Sequence, residues 1–217
     1  MSIHIDKGDY LIFAAIGTVL GIPGIPIDKC EIEPGIWRRH YNLQSNESRS
    51  DISRDGILGV LLYAAIKKDK KLLDRMIKAG WKRKWTMGDR GPFDYINMFP
   101  LVPLIYALRY GKWFPTIPPL AVKQMLTGFR AHLLALYIMI EMENGKRGWS
   151  HRWSLKQLIK ANPNNPWFHA LYNKSHKLSQ NNVHEMMKHF DNSESAYGWG
   201  SCPGEVFKKL VERSLAL

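Results

Sequence analysis

The sequence predicts an all-α fold: helical hairpins in an α/α-toroid-like arrangement, complete or incomplete. Three observations lead there. Apolar residues recur at helical spacing almost throughout, and no two-residue Asn-Gly or Asp-Gly turn joins alternating strands. From residue 53 onward the helical segments fall into sequential hairpins. In the first hairpin a helix apolar on every face precedes an amphipathic one, the alternation that inner and outer helical layers require. A globin-like or irregular bundle produces the same pattern.

The first apolar run, Tyr10 to Ile27, reads YLIFAAIGTVLGIPGIPI and carries no charge. A membrane-spanning helix needs about 20 apolar residues, and Gly21, Pro23, Gly24 and Pro26 break the second half of this one. It reads as a buried segment followed by a turn-rich loop. A helix then starts at Ser53, with Ser53 as N-cap and Asp55 in the first turn, where the helix dipole favours a carboxylate. The spacing predicts further helices over 70–79, 101–110, 119–142, 154–161, 166–176, 181–190 and 204–215. Gly80 and Gly111 stand where helices stop. Asn165-Pro166 is a start signal, with Asn as N-cap and Pro at the first helical position. Residues 81–100 read as a loop, as does a basic, tryptophan-containing stretch ending at Trp153. The chain is expected to form a single domain, 1–217, with a loop-rich segment over 1–50 and a helical body over 51–217.

At 217 residues and 45% hydrophobic content the chain can bury a substantial core, which excludes a wholly disordered protein. Two cysteines, Cys30 and Cys202, exclude a disulfide-dense scaffold and a four-cysteine zinc site; they are expected to be two buried free thiols, with one long-range disulfide as the alternative. The charged N-terminus lacks the features of a signal peptide. No transmembrane segment is expected, and a cytoplasmic or virion-associated location follows. The charge is lopsided: 31 Lys and Arg against 19 Asp and Glu give +12. Residues 67–90 alone hold ten basic side chains against Asp69, Asp74 and Asp89, a balance of +7. Such a surface favours anionic partners, or is simply a solvated helix face.

Candidate chemistry begins at Ile52-Ser-Arg-Asp-Gly-Ile-Leu-Gly59, where polar residues sit at the mouth of an apolar helix. Arg54 and Asp55 either cap that helix at the surface or stand at one end of a buried axis. Gly56 and Gly59 are poor helix formers, which fits a helix that something approaches closely.

The segment GIWRRHYNLQSNESRSDISRDGILGVLLYA resembles the opening of some phage and bacterial proteins with a Trp-Arg-rich loop and a Ser-Arg-Asp helix start. It is also similar to the α/α-toroid carbohydrate-active enzymes, glycoside hydrolases and uronate lyases. The matching residues are Trp37, Arg38, Arg39, Ser53, Arg54 and Asp55. The resemblance implies a glycan-cleaving enzyme acting on a polysaccharide, and the positive charge points to an acidic one.

Glycoside hydrolysis commonly uses two carboxylates. Asp55 and Asp89 are the expected pair, with Asp51, Asp94, Glu47 and Glu205 as lesser candidates. Asp89 and Arg90 sit at the tip of the loop Trp85-Thr-Met-Gly-Asp-Arg-Gly-Pro-Phe-Asp94, which also reads as a plain charged turn. Arg54 would orient a carboxylate or bind substrate. Trp37, Trp85 and Trp149 would line the cleft, and Arg38, Arg39, His40 and Arg90 would hold acidic groups. A lyase would take its base from His40, Tyr41 or His151. No cofactor and no metal are expected. The alternative is a non-enzymatic nucleic-acid or polyanion-binding helical protein, in which basic side chains meet phosphates and tryptophans stack on bases. A third class is a structural protein with no active site.

Overall fold

A computed structural model describes residues 10–22, 27–41, 54–87, 96–111, 119–173, 180–189, 202 and 204–217. The chain is all-α, with ten α-helices and two short strand pairs among the described residues. It divides into two compact units, 1–114 and 115–217.

The first unit is organised around α1 (Tyr10–Val19) and α2 (Arg54–Lys67). The uncharged run folds as a helix whose residues Tyr10–Gly17 are all buried. It packs against α2, itself buried from Gly56 to Leu62. Gly59 explains the close fit: a Cβ there would stand 2.9 Å from the Cα of Ile12. The partner that Gly59 admits is therefore α1. Because α1 lies in the 1–50 segment yet packs on α2, the two stretches share one core.

Between them lies a hairpin of β1 (Glu31–Glu33) and β2 (Ile36–Trp37). Its turn is Pro34-Gly35, with Gly35 at a φ of +86°, the left-handed value a type II turn places on glycine after proline. The Glu31 carboxylate accepts from the Gly35 N–H at 2.7 Å and from both Nε and Nη2 of Arg75, at 2.9 and 3.0 Å. Arg75 belongs to α3 (Lys70–Lys82), so one carboxylate ties the hairpin to that helix. Asp69 caps α3 by accepting the Leu72 N–H at 2.9 Å.

Helix α3 runs past its expected stop at Gly80. That glycine lies inside the helix because Trp85 folds back onto it, and a Cβ at residue 80 would meet the indole at 2.4 Å. Lys84 and Trp85 adopt left-handed φ values of 51° and 57° to make the reversal. The Trp85 N–H then donates to the Gly80 carbonyl at 2.6 Å. A second strand pair, β3 (Thr86–Met87) with β4 (Ile96–Asn97), follows. Helix α4 (Val102–Tyr110) packs on α3 and α2 and ends at Gly111, whose φ is +68°.

The second unit contains α5 (Pro119–Gln124), α6 (Phe129–Glu143), α7 (Trp149–Ala161), α8 (Pro166–Asn173), α9 (Gln180–His189) and α10 (Gly204–Ala216). The single helix expected over 119–142 is two helices, separated at Gly128 with a φ of +59°. The carbonyl of Leu126, inside the break, accepts from the Asn162 side chain at 2.8 Å. The stretch after Gly145 expected as loop up to Trp153 is loop only through Gly148; Trp149 to Trp153 open α7.

Helix α8 is the hub, packing on α10, α7, α9 and α6. Its start is the expected one: Asn165 Oδ1 accepts from the Trp167 N–H at 3.0 Å. The fully buried Trp167 donates its indole N–H to Ser214 Oγ of α10 at 3.0 Å. Arg213 of α10 grips the Glu143 carboxylate with two bonds, at 2.7 and 2.9 Å. Contacts of this kind, α10 on α8 and α1 on α2, cross the sequential hairpins. The expected pairing of 101–110 with 119–142 spans the unit boundary.

Three stability outcomes follow. Gly35→Ala places a Cβ 2.2 Å from the Arg75 carbonyl oxygen and forces a left-handed alanine. It should cost about 2–4 kcal/mol in urea denaturation. Ser214→Ala strands the Trp167 indole N–H and should cost about 1–3 kcal/mol by the same measurement. Burial pushes His132 on α6 down to about 3, so the folded state resists protonation that the unfolded chain accepts. The contribution of neutral His132 is complete above its unfolded value and is lost as pH falls. Stability should drop by about 1.4 kcal/mol per pH unit between pH 6 and 4 on this account. A His132→Leu variant should lack that component of the slope.

Candidate functional site

The two tryptophans of the first unit that were expected to line a cleft belong to the core. Trp37 on β2 is 2% exposed and Trp85 is 4% exposed. Both residues of β2, Ile36 and Trp37, are buried, and Trp85 fills the space over Gly80. His40 is also buried, edge-on to Tyr10 at 5.1 Å and stacked on Tyr41 at 4.8 Å. Arg38 and Arg39 are half-buried, and their backbones bond to the Cys30 carbonyl and the Leu11 N–H. Arg54 is exposed and Asp55 half-buried at the open end of α2. Asp89, Arg90, Ser53, Asp51, Asp94 and Glu47 lie outside the described residues. Glu205 is exposed in the first turn of α10. Trp149, by contrast, is 73% exposed at the first position of α7.

His151 is not a free base. Its Nδ1 accepts the Gly148 N–H at 3.1 Å, so its Nε2 carries the proton and donates to Glu141 Oε2 at 2.6 Å. Both side chains are buried, and the pair fixes the start of α7 against α6. The cysteines are buried free thiols. Burial pushes Cys30 up to about 12 and raises Cys202 as well, so neither is a nucleophile at neutral pH. Among the described residues no group of three His, Cys, Asp or Glu could hold a metal ion.

What the structure does assemble is a basic and aromatic face on α3 and α4. Lys70, Lys71, Lys78 and Lys82 on α3, with Lys67 before it and Lys84 after it, are all exposed. Lys71, Lys78 and Lys82 share one side of the helix and span roughly 16 Å of its axis. The neighbouring arginines are spent internally. Arg75 clamps Glu31, Arg83 reaches Glu33 at 3.1 Å, and Arg109 of α4 holds Asp74. The Arg109 hydrogen bond keeps the Asp74 carboxyl below the usual carboxylate range, so this outward acid on α3 is already neutralised. The six lysines have no carboxylate partner among the described residues.

Aromatic rings border this face. Trp81 is 66% exposed and donates its indole N–H to Tyr106 Oη at 2.9 Å. Tyr106 and Tyr110 lie 5.7 Å apart, and the Arg109 guanidinium sits 5.0 Å from the Tyr110 ring centroid. Buried Trp85 supports both Trp81, edge-on at 5.9 Å, and Tyr106, at 6.3 Å. The sequence signal for Trp81 was its position three residues after Lys78, on the polar side of α3. Ending that helix at residue 79 hides it.

Comparison with protein-family models, curated proteins and solved structures finds no match.

Core and surface tryptophans should separate cleanly. Trp37→Ala and Trp85→Ala should each cost about 3–5 kcal/mol in urea denaturation. Trp81→Ala and Trp149→Ala should stay within about 1 kcal/mol of the parent protein.

Proposed function

We propose that the protein binds an anionic polymer, with nucleic acid the best fit, through the outer face of α3 and α4. One observation carries this reading: six exposed lysines on and flanking α3 have no carboxylate partner among the described residues, and exposed Trp81 lies on the same helix, bonded to Tyr106 of α4. Lysines left in solvent contact phosphates and release condensed counterions, while flat rings stack on bases. Arg75, Arg83 and Arg109, already bonded to carboxylates, serve the scaffold instead.

A second reading keeps the glycan-cleaving enzyme and its α/α-toroid-like body. Half-buried Asp55 beside exposed Arg54, at the open end of an apolar helix, favours it. It requires a second carboxylate, expected in Asp89, and an acidic polysaccharide would meet the same lysines. The two readings differ in outcome: one yields a complex, the other a product.

Fluorescence anisotropy with a labelled single-stranded oligonucleotide tests the binding reading. Affinity should fall steeply between about 50 and 200 mM salt. Lys71→Gln/Lys78→Gln/Lys82→Gln should reduce the slope of log K against log salt by about 2. Salt-insensitive binding, or a triple variant with the parent slope, overturns this reading. Reducing ends released from an acidic polysaccharide, and lost in Asp55→Asn, would establish the enzyme instead.

A further inference from the structure

The second unit carries a charged row of its own. Between Glu143 and Glu185 the sequence holds no acidic residue, while Lys146, Arg147, Arg152, Lys156 and Lys160 crowd its first part. On α7, Arg152, Lys156 and Lys160 recur every four residues, so they stack along one side of the helix. All three are exposed and have no partner among the described residues. The inward side of the same helix is His151, Ser154, Leu155 and Leu158. Trp149 stands at the head of the row, the most exposed large apolar side chain among the described residues.

The surroundings keep this row positive. Glu141 is buried on His151, and Glu143 is held by the two bonds from Arg213. Neither carboxylate is available to the basic side chains of α7. The His151 bonds to Gly148 and Glu141 also fix the first turn, so Trp149 projects from an anchored helix end.

We infer that this face of α7 is a second nucleic-acid-binding surface, specific for single strands. Arg152, Lys156 and Lys160 meet successive phosphates, and Trp149 stacks on an unpaired base. The axial rise between members of the row is about 6 Å, comparable to the separation of neighbouring phosphates along one strand. An exposed indole selects single strands because a duplex keeps its base faces covered, whereas an unpaired base offers its own. The inference shares the class of polymer with the α3 reading but rests on different residues in a different unit.

The test uses the full chain, a labelled oligothymidine, a duplex of equal length, and heparin. Arg152→Gln/Lys156→Gln/Lys160→Gln should weaken oligothymidine binding and lower its salt slope by about 2. Trp149→Ala should weaken oligothymidine binding by about 5- to 150-fold and leave heparin binding within twofold, with an unchanged circular dichroism spectrum. Trp149→Phe should retain most of the affinity.

An α7 triple variant with the parent affinity and slope overturns the inference, and leaves the α3 reading intact if the α3 triple variant still loses binding. Equal losses on oligothymidine and heparin in Trp149→Ala overturn the stacking role. A parent protein that binds neither oligonucleotide overturns both readings together.

Discussion

The first unit depends on the contact between Trp85 and Gly80. Two consecutive non-glycine residues hold left-handed backbone angles to bring the indole back over the helix it has just left. Such angles cost of order 1 kcal/mol or more each. The burial of a whole indole and the hydrogen bond to the Gly80 carbonyl offset that cost. The consequence reaches the surface. With Gly80 inside the helix, α3 continues to Lys82, and Trp81 emerges on its outer side within reach of Tyr106. A core contact thus determines which aromatic ring faces solvent.

Four of the ion pairs that join separate elements use arginine. Arg75, Arg83, Arg109 and Arg213 each hold a carboxylate, on Glu31, Glu33, Asp74 and Glu143. A guanidinium presents a planar fork that matches two carboxylate oxygens, so it suits fixed connections between elements. An ammonium is a compact, strongly hydrated charge on a flexible stem, which favours solvent. The lysines of α3 are accordingly left facing outward. In the second unit, Arg213 and His151 remove the two nearby acids from solvent competition, and the α7 row keeps its charge.

Much of the secondary structure was legible residue by residue. Asn165-Pro166 starts α8, Gly111 ends α4 in a left-handed conformation, and the apolar run after Tyr10 is buried. These features depend on neighbours within one turn. Other features escaped for identifiable reasons. Pro34-Gly35 makes a hairpin through a type II turn, which a search for Asn-Gly and Asp-Gly passes over. Gly128 breaks the helix expected over 119–142, and Asn162, 36 residues away from Leu126, satisfies a carbonyl in the break. Of the expected site, Arg54 and Trp149 are exposed, whereas Trp37, Trp85 and His40 are interior.

By itself the sequence determined the helical class, the positions of most helices and the excess of positive charge. These follow from periodicity, capping residues and composition, which are local or additive. Only the tertiary structure decided that α1 packs on α2 and α8 on α10, which tryptophans are core, and which basic side chains remain unpaired. Those outcomes turn on single contacts between distant residues: a missing Cβ at Gly59 against Ile12, or a carboxylate at Glu31 against Arg75. Composition counts such groups, but whether a charge is cancelled or a ring is covered depends on what the fold places within a few ångströms of it.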